Sequence, residues 1–140
     1  MFVGMMREWD KHKFDTSSLR TGIMAGSVCP EPLMRRVIQD LGIQKLTNCY
    51  GMTETSPTSF QTQVNAPFDK KVRTVGKVHS HVEAKIINPE TGRMVEVGEV
   101  GELCTRGYNV MLGYWNDEES TRNSIDRNGW MHTGDTAMMD

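Results

Sequence analysis

The sequence predicts an α/β fold in which a βαβ part of a mainly parallel sheet is followed by an antiparallel, barrel-like β subdomain. Two observations predict this order. Within residues 19–49, two short apolar runs flank a stretch whose apolar side chains have helical spacing, which is typical of a βαβ unit. Residues 82–87 instead alternate apolar and charged side chains, which predicts a strand with one buried face. We therefore assign residues 1–70 to the α/β part and residues 71–140 to the β part.

The first half of the chain supplies each element of the βαβ unit. Residues 1–11 carry apolar side chains on one helical face and predict an opening helix. Residues 19–25 and 45–49 predict short strands, and residues 30–41 predict the helix that joins them. Gly42 is a natural C-terminal stop for this helix. Short connections of this kind indicate that the two strands are parallel.

The pattern changes to β segments after residue 68. The predicted elements, in order, are a valine-rich strand region (72–87), further β segments (95–104), a short polar helix (116–124) and a last strand (130–139). Asn116 or Asp117 is the predicted N-cap of the polar helix, because both side chains accept hydrogen bonds from exposed backbone N–H groups.

Composition excludes several classes of function. The chain has 140 residues, 37% of them hydrophobic, and a net charge of −2, so no basic field draws nucleic acid or an anionic membrane. No apolar run approaches the roughly 20 residues that span a bilayer, and the start lacks the pattern of a secretory signal. Cys29, Cys49 and Cys104 are isolated, which favours an intracellular location, cytoplasmic or mitochondrial. The oligomeric state is not readable from the sequence.

Polar and glycine residues follow both predicted parallel strands. Gly26-Ser27 follow the first strand and residues 50–54 follow the second. In open α/β sheets, ligands bind beyond the carboxyl ends of the strands, so these two segments are expected to lie side by side at a ligand site.

The residue types in these segments suit a nucleotide. Tyr50 offers a flat ring to a purine, and Gly51 permits close approach of the backbone. Thr53 offers a hydroxyl to a phosphate oxygen, and Glu54 offers a hard oxygen to Mg²⁺. Asp135 could accept two hydrogen bonds from a ribose diol. Taken singly, each residue also has an ordinary structural explanation in packing, helix capping or turn formation.

Six motifs in a fixed order favour the nucleotide-binding interpretation over the ordinary structural one. They are residues 25–27, 48–55, 74–77, 101–107, 113–115 and 129–135. This series resembles the adenylate-forming superfamily, which includes acyl-CoA synthetases, luciferases and peptide-synthetase adenylation domains. Residues 101–115 are most similar to the medium-chain fatty acyl-CoA synthetase branch. The resemblance implies that residues 1–70 are a fragment of the nucleotide-binding subdomain and that residues 71–140 belong to the same N-terminal ligase domain.

The resemblance also implies roles for individual residues. Tyr50 would stack on adenine, and the backbone of Gly26 and Ser27 would line its edge. Thr53 would contact the α-phosphate and Glu54 would hold Mg²⁺, so these two residues are the catalytic candidates. Asp135 would bind the ribose hydroxyls. Gly51 and Met52 are counted with the cofactor-binding residues and, with residues 75–77, would border the acyl pocket. Glu102 and Arg106 are expected to be structural.

The implied reaction joins a fatty acid to coenzyme A at the expense of ATP. The carboxylate is first adenylated by Mg-ATP, and the thiol of coenzyme A then displaces AMP, so the partners are small molecules. The family's phosphate loop and C-terminal lysine have no counterpart here, so we expect the 140-residue chain alone to be inactive. Two alternatives remain open: a non-catalytic nucleotide- or acyl-binding module, and a peptide-synthetase adenylation domain.

Overall fold

The computed structural model describes all 140 residues and divides them into two compact units. The first unit contains Met1–Gly51 and Phe60–Lys77, and the second contains Met52–Ser59 and Val78–Asp140. None of the helices combines the length and the apolar character that crossing a bilayer requires.

The first unit is built on a mixed sheet flanked by helices. Its elements are α1 (Phe2–His12), β1 (Thr21–Met24), α2 (Glu31–Asp40), β2 (Lys45–Tyr50), β3 (Phe60–Gln61), α3 (Phe68–Arg73) and, at its border, β4 (Lys77–Val78). The strand order is β1-β2-β3-β4. Strands β1 and β2 are parallel, and β2 and β3 are antiparallel.

The predicted βαβ unit is confirmed. The parallel register runs from Thr21 opposite Lys45 to Met24 opposite Asn48, and α2 makes the crossover. Helix α2 begins after Pro30, whose extended backbone suits the N-cap position. It ends before Gly42, whose φ of +73° lies in the left-handed region that glycine adopts without strain.

The core of the first unit lies under α2. Its fully buried members are Met34, Val37 and Leu46, which have no exposed surface. Helix α1 adds the buried Met6, and Phe2 and Trp9 pack against the same cluster. The helical spacing of apolar residues in the first eleven positions therefore marks a face that packs within this unit.

The second unit is built on an antiparallel sheet. Its elements are a single 3₁₀ turn (Thr53–Thr55), β5 (Val82–Ile87), β6 (Val100–Gly107), α4 (Glu118–Ser124) and β7 (Met131–Met138). The strand order is β5-β6-β7, with both pairings antiparallel. The predicted fold class, an α/β part followed by an antiparallel β part, is confirmed.

Two predictions for secondary structure in the second half need correction. Val72 and Arg73, at the start of the predicted strand region 72–87, instead end helix α3, since Pro67 precedes this helix and Lys71 buries its stem and donates from Nζ to the carbonyl of Val64 at 2.7 Å. Strand β6 starts at Val100, so residues 95–98 belong to a connection. The polar helix and its Asp117 cap are confirmed, because the Asp117 carboxylate accepts from Ser120 N at 2.9 Å.

Candidate functional site

The first unit places Gly26, Ser27 and Gly51 just beyond the ends of neighbouring strands, and Tyr50 is the last residue of the second strand. Strand β1 ends at Met24 and β2 ends at Tyr50, and the parallel pairing brings both carboxyl ends to one edge of the sheet, as predicted. Gly26 and Ser27 are exposed, and the φ of Gly26 is +83°. The backbone of this segment is therefore accessible to a ligand.

The ring of Tyr50 packs against Phe60. Its ring centroid lies 6.1 Å from that of Phe60 in an edge-on arrangement, and the side chain is half-buried. An edge-on aromatic contact orients a ring without covering both of its faces. This contact orients the Tyr50 ring.

Asn48 connects three segments of the first unit, although sequence reasoning assigned it no role. Its side chain is buried, Oδ1 accepts from Cys29 Sγ at 3.3 Å, and Nδ2 donates to the carbonyl of Thr74 at 3.1 Å. Its backbone N–H donates to Thr62 Oγ1 at 2.9 Å. The side-chain amide thus binds two segments and the backbone N–H binds a third, which fixes the strand end that carries Tyr50.

The second unit holds Thr53 and Glu54 in the 3₁₀ turn. Met52 N donates to Thr55 Oγ1 at 3.1 Å, and the buried Thr55 anchors the turn. Asn109 Nδ2 donates to the carbonyl of Thr55 at 3.0 Å. Thr53 remains exposed and Glu54 is half-buried, so the two catalytic candidates project from a turn whose backbone is fixed.

Glu54 is held by a loop distant in sequence. Its carbonyl accepts from Met111 N at 2.8 Å, and its Oε1 accepts from the hydroxyl of Tyr114 at 2.9 Å. The hydrogen bond to Glu54 raises the pKa of Tyr114, so the phenol stays a donor. Tyr114 lies in motif 113–115, which was recognised in the sequence without a role for its hydroxyl.

The surroundings of Glu54 fit a divalent cation. Tyr114 engages Oε1 and thereby orients the carboxylate, and no hydrogen bond of the structure uses Oε2. A half-buried carboxylate oxygen with a fixed orientation is a ligand that Mg²⁺ accepts, usually together with water and phosphate oxygens. Glu54 is the residue that would hold the ion.

Asp135 lies in a bulge of β7. Between the paired positions Glu102–Thr136 and Cys104–His132, β6 contributes one residue, whereas β7 contributes the three residues 133–135. Such an insertion lifts residues out of the ladder and re-aims their side chains, and bulges recur beside active sites.

The bulge has a defined conformation. The φ of Gly134 is +71°, in the left-handed region, and Asp135 is exposed. Thr133 Oγ1 donates to the carbonyl of Leu103 at 2.7 Å and accepts from Asp135 N at 3.1 Å. Gly134 and Asp135 therefore interrupt the strand that the sequence predicted over residues 130–139.

Arg106 occupies a structural position. It lies directly opposite Glu83 across the β5–β6 pair and donates to both carboxylate oxygens, at 3.0 and 2.7 Å. This partner holds the pKa of Glu83 below its usual range. The guanidinium also stacks 4.6 Å from the ring centroid of Trp130. These contacts agree with a role in stabilising the sheet.

Comparisons with known proteins point to one family. A sequence profile described as AMP-binding enzyme matches residues 1–115. A putative acyl-CoA synthetase, YngI of Bacillus subtilis, is 47% identical over 140 residues, which is all of this chain and 26% of that protein. The mitochondrial medium-chain acyl-CoA ligase ACSF2 of Danio rerio is 45% identical over 140 residues, again all of this chain and 23% of the relative.

A similar structure has been solved with nucleotide bound. The crystal structure of ATP-bound MatB from Rhodopseudomonas palustris superposes with a TM-score of 0.73 at 27% identity, covering 84% of this chain and 23% of that one. The chain thus spans about a quarter of the length of the curated relatives that it matches.

Proposed function

Because the chain belongs to the family of AMP-binding enzymes, we propose that it is part of an acid–CoA ligase. The ligase adenylates a fatty carboxylate with Mg-ATP and transfers the acyl group to coenzyme A, giving acyl-CoA, AMP and diphosphate. The observation that carries the proposal is the oriented carboxylate of Glu54, fixed by Tyr114 through Oε1 with Oε2 left for a cation. The acyl-CoA ligases among the relatives support it.

We propose that Tyr50, Gly26 and Ser27 bind the base of the nucleotide. Tyr50 presents its ring to adenine, while the exposed backbone of Gly26 and Ser27 lines the purine edge. Backbone groups distinguish the hydrogen-bonding edge of a base, and an aromatic face adds stacking that any purine satisfies.

In this proposal, Thr53, Glu54 and Asp135 bind the phosphates, the cation and the sugar. Thr53 donates its exposed hydroxyl to an α-phosphate oxygen, and Glu54 holds Mg²⁺, which neutralises phosphate charge when bound. Asp135 accepts hydrogen bonds from the ribose hydroxyls. These groups position the α-phosphorus for attack by the substrate carboxylate.

No protein nucleophile is needed for this chemistry, since the substrate carboxylate and the thiol of coenzyme A do the attacking. The buried thiols of the chain are unsuited to such a role. Burial raises the pKa of Cys29 and raises the pKa of Cys104 to about 11, which disfavours both thiolates.

We propose a medium-chain fatty acid as the substrate and an intracellular location, either cytoplasmic or mitochondrial. The substrate rests on the name of the Danio rerio relative and on the similarity of residues 101–115. Gly51, Met52 and residues 75–77 would border the acyl pocket. The alternative of a non-catalytic binding module predicts nucleotide binding without turnover, which separates the two proposals by experiment.

An exchange of segments tests the proposed activity. The matching quarter of the Danio rerio ligase is replaced by this chain, and acyl-CoA formation from a medium-chain fatty acid is measured. The hybrid should turn over, whereas the same hybrid with Glu54→Ala should lose at least about a hundredfold in kcat. Glu90→Ala, which removes an exposed carboxylate from a turn, is the matched control. A folded hybrid that binds ATP without forming acyl-CoA would favour the binding module.

A further inference from the structure

We propose that Glu102 is a positioning residue, whose carboxylate holds the 133–135 bulge in the conformation that presents Asp135 to its ligand. The proposal rests on the proposed function only in naming the ribose of a nucleotide as that ligand. The sequence assigned Glu102 a structural place without a partner, and the structure shows what the carboxylate holds.

Each carboxylate oxygen of Glu102 contacts a different residue of the bulged strand. Oε1 accepts from Gly134 N at 3.1 Å, and Oε2 lies 3.0 Å from His132 Nδ1. Glu102 is itself paired with Thr136 in the ladder. The side chain of Glu102 therefore contacts residues before and within the bulge, and its ladder partner follows the bulge.

The contact with Gly134 compensates for the ladder hydrogen bond that the bulge removes. In a regular antiparallel ladder, every second N–H of β7 would pair with a carbonyl of β6. Inside the bulge the N–H of Gly134 meets a carboxylate oxygen instead, and a bond from a backbone N–H to an ionised acceptor is stronger than a neutral one. The Glu102 side chain is only 18% exposed, so water competes weakly for this bond.

The hydrogen bond between Glu102 and Gly134 also constrains Asp135 through the backbone. Gly134 directly precedes Asp135, and its left-handed φ of +71° sets the direction of the next residue. Thr133 fixes the other side, because its hydroxyl links the carbonyl of Leu103 to the N–H of Asp135. Glu102 and Thr133 together leave the bulge few alternative conformations, so removal of either oxygen contact should loosen Asp135.

A metal site is the competing explanation for this cluster. Cys104 Sγ lies 3.7 Å from His132 Nδ1, and ligand atoms of Glu102, Cys104 and His132 lie within 4.8 Å of one another. However, Oε1 of Glu102 is already engaged by Gly134, and the thiol of Cys104 is buried without any exposed surface. The hydrogen-bonded arrangement accounts for the geometry without an ion.

The N–H signal of Gly134 in nuclear magnetic resonance spectra of the 140-residue chain directly tests its hydrogen bond to Glu102. In the unaltered chain this proton should resonate downfield, and Glu102→Ala should move it upfield and accelerate its hydrogen exchange at least about tenfold. Glu102→Gln keeps a neutral acceptor and should give an intermediate shift, and it serves as the test if the alanine variant does not fold. Glu90→Ala should change nothing. A Gly134 signal unaffected by both Glu102 substitutions would overturn the proposal, as would a signal that shifts on removal of metal by a chelator.

AMP binding tests the positioning role. The Kd for AMP should rise about tenfold in Glu102→Ala and less in Glu102→Gln, since a loosened Asp135 must be ordered on binding. A loosened Gly134 with an unchanged Kd for AMP would overturn the positioning role. Failure of the unaltered chain to bind AMP would count against the proposed function. The Gly134 signal would still show whether Glu102 holds the bulge.

Discussion

The hydroxyl of Tyr114 donates a 2.9 Å hydrogen bond to Oε1 of Glu54, a residue 60 positions earlier in the chain. The same loop also holds the backbone of Glu54, through the 2.8 Å bond from Met111 N. Two motifs that are separate in sequence, 48–55 and 113–115, thus meet at a single carboxylate. The aromatic hydroxyl of the second motif orients the proposed metal ligand of the first.

Loss of the Tyr114 hydroxyl should weaken the use of Mg²⁺. In the hybrid ligase, Tyr114→Phe should raise the Mg²⁺ concentration needed for half-maximal rate about tenfold, because groups that orient a metal ligand typically change metal affinity by this much or more. Trp115→Phe is the matched control, since Trp115 is almost fully exposed. An unchanged Mg²⁺ requirement in Tyr114→Phe would mean that Glu54 needs no such support.

The pKa of Tyr114 reports the same contact without any turnover. Hydrogen bonding to Glu54 raises this pKa above the ordinary tyrosine value, because the neutral phenol is the donor and a phenolate would face a carboxylate. Glu54→Gln should therefore lower the pKa of Tyr114, as followed by its ring-carbon resonance in a pH titration. Glu90→Gln should leave it in place. A pKa that does not fall in Glu54→Gln would contradict the contact.

Cys104 should make the folded state less stable in alkali. Burial, and next the charge of Glu102, raise the pKa of this thiol to about 11 from its ordinary value near 9. A group whose folded pKa is raised contributes its full stability below the unfolded value and loses it as pH rises through the folded value. The free energy of unfolding should fall between pH about 9 and about 11, with a contribution of order 1–2 kcal/mol from this thiol.

Cys104→Ala isolates that contribution. Chemical denaturation at several pH values should give a shallower alkaline loss of stability in the variant than in the unaltered chain, after subtraction of the constant cost of the lost sulfur. Cys49→Ala is the comparison, since Cys49 is only half-buried. Parallel alkaline profiles for the unaltered chain and Cys104→Ala would show that the buried thiol is not responsible.

Gly76 should tolerate no side chain. Its φ is +84°, and an added Cβ would overlap the backbone carbonyl of Gln61. Gly76→Ala should lower the free energy of unfolding by about 2 kcal/mol or more, combining the left-handed strain with a clash that backbone cannot relieve cheaply. Gly42 has a similar φ of +73° and open space around it, so Gly42→Ala should cost only about 1 kcal/mol. Equal losses in the two variants would show that close approach to Gln61 is unimportant.

Local patterns were sufficient for the βαβ unit. The apolar stripe of α2, its proline start and its glycine stop are all short-range signals, and short connections imply parallel strands. Such signals misled at residues 72 and 73, which were predicted to begin a valine-rich strand region and instead end helix α3. There the proline before the segment and the buried stem of Lys71 decide for a helix.

The supports of the candidate site depend on long-range contacts that a local pattern does not reveal. Tyr114 and Glu54, Asn48 and Thr74, and Glu102 and Gly134 are 60, 26 and 32 residues apart. The order of the motifs identified the residues proposed to contact the nucleotide, because the chemistry of the nucleotide determines which residue types can bind it. The side chains that hold them depend on strand register, and the bulge in β7 appears only once β6 and β7 are paired.

AMP binding by the 140-residue chain tests the central claim most directly. Calorimetric titration should detect binding, and Tyr50→Ala and Asp135→Ala should each raise the Kd at least about tenfold, because each removes one of the proposed contacts. Tyr108→Ala is the matched control for the first variant, since that ring is 77% exposed, and Glu90→Ala is the control for the second. Unchanged Kd values in both Tyr50→Ala and Asp135→Ala, or no AMP binding by the unaltered chain, would contradict the assignment of this site.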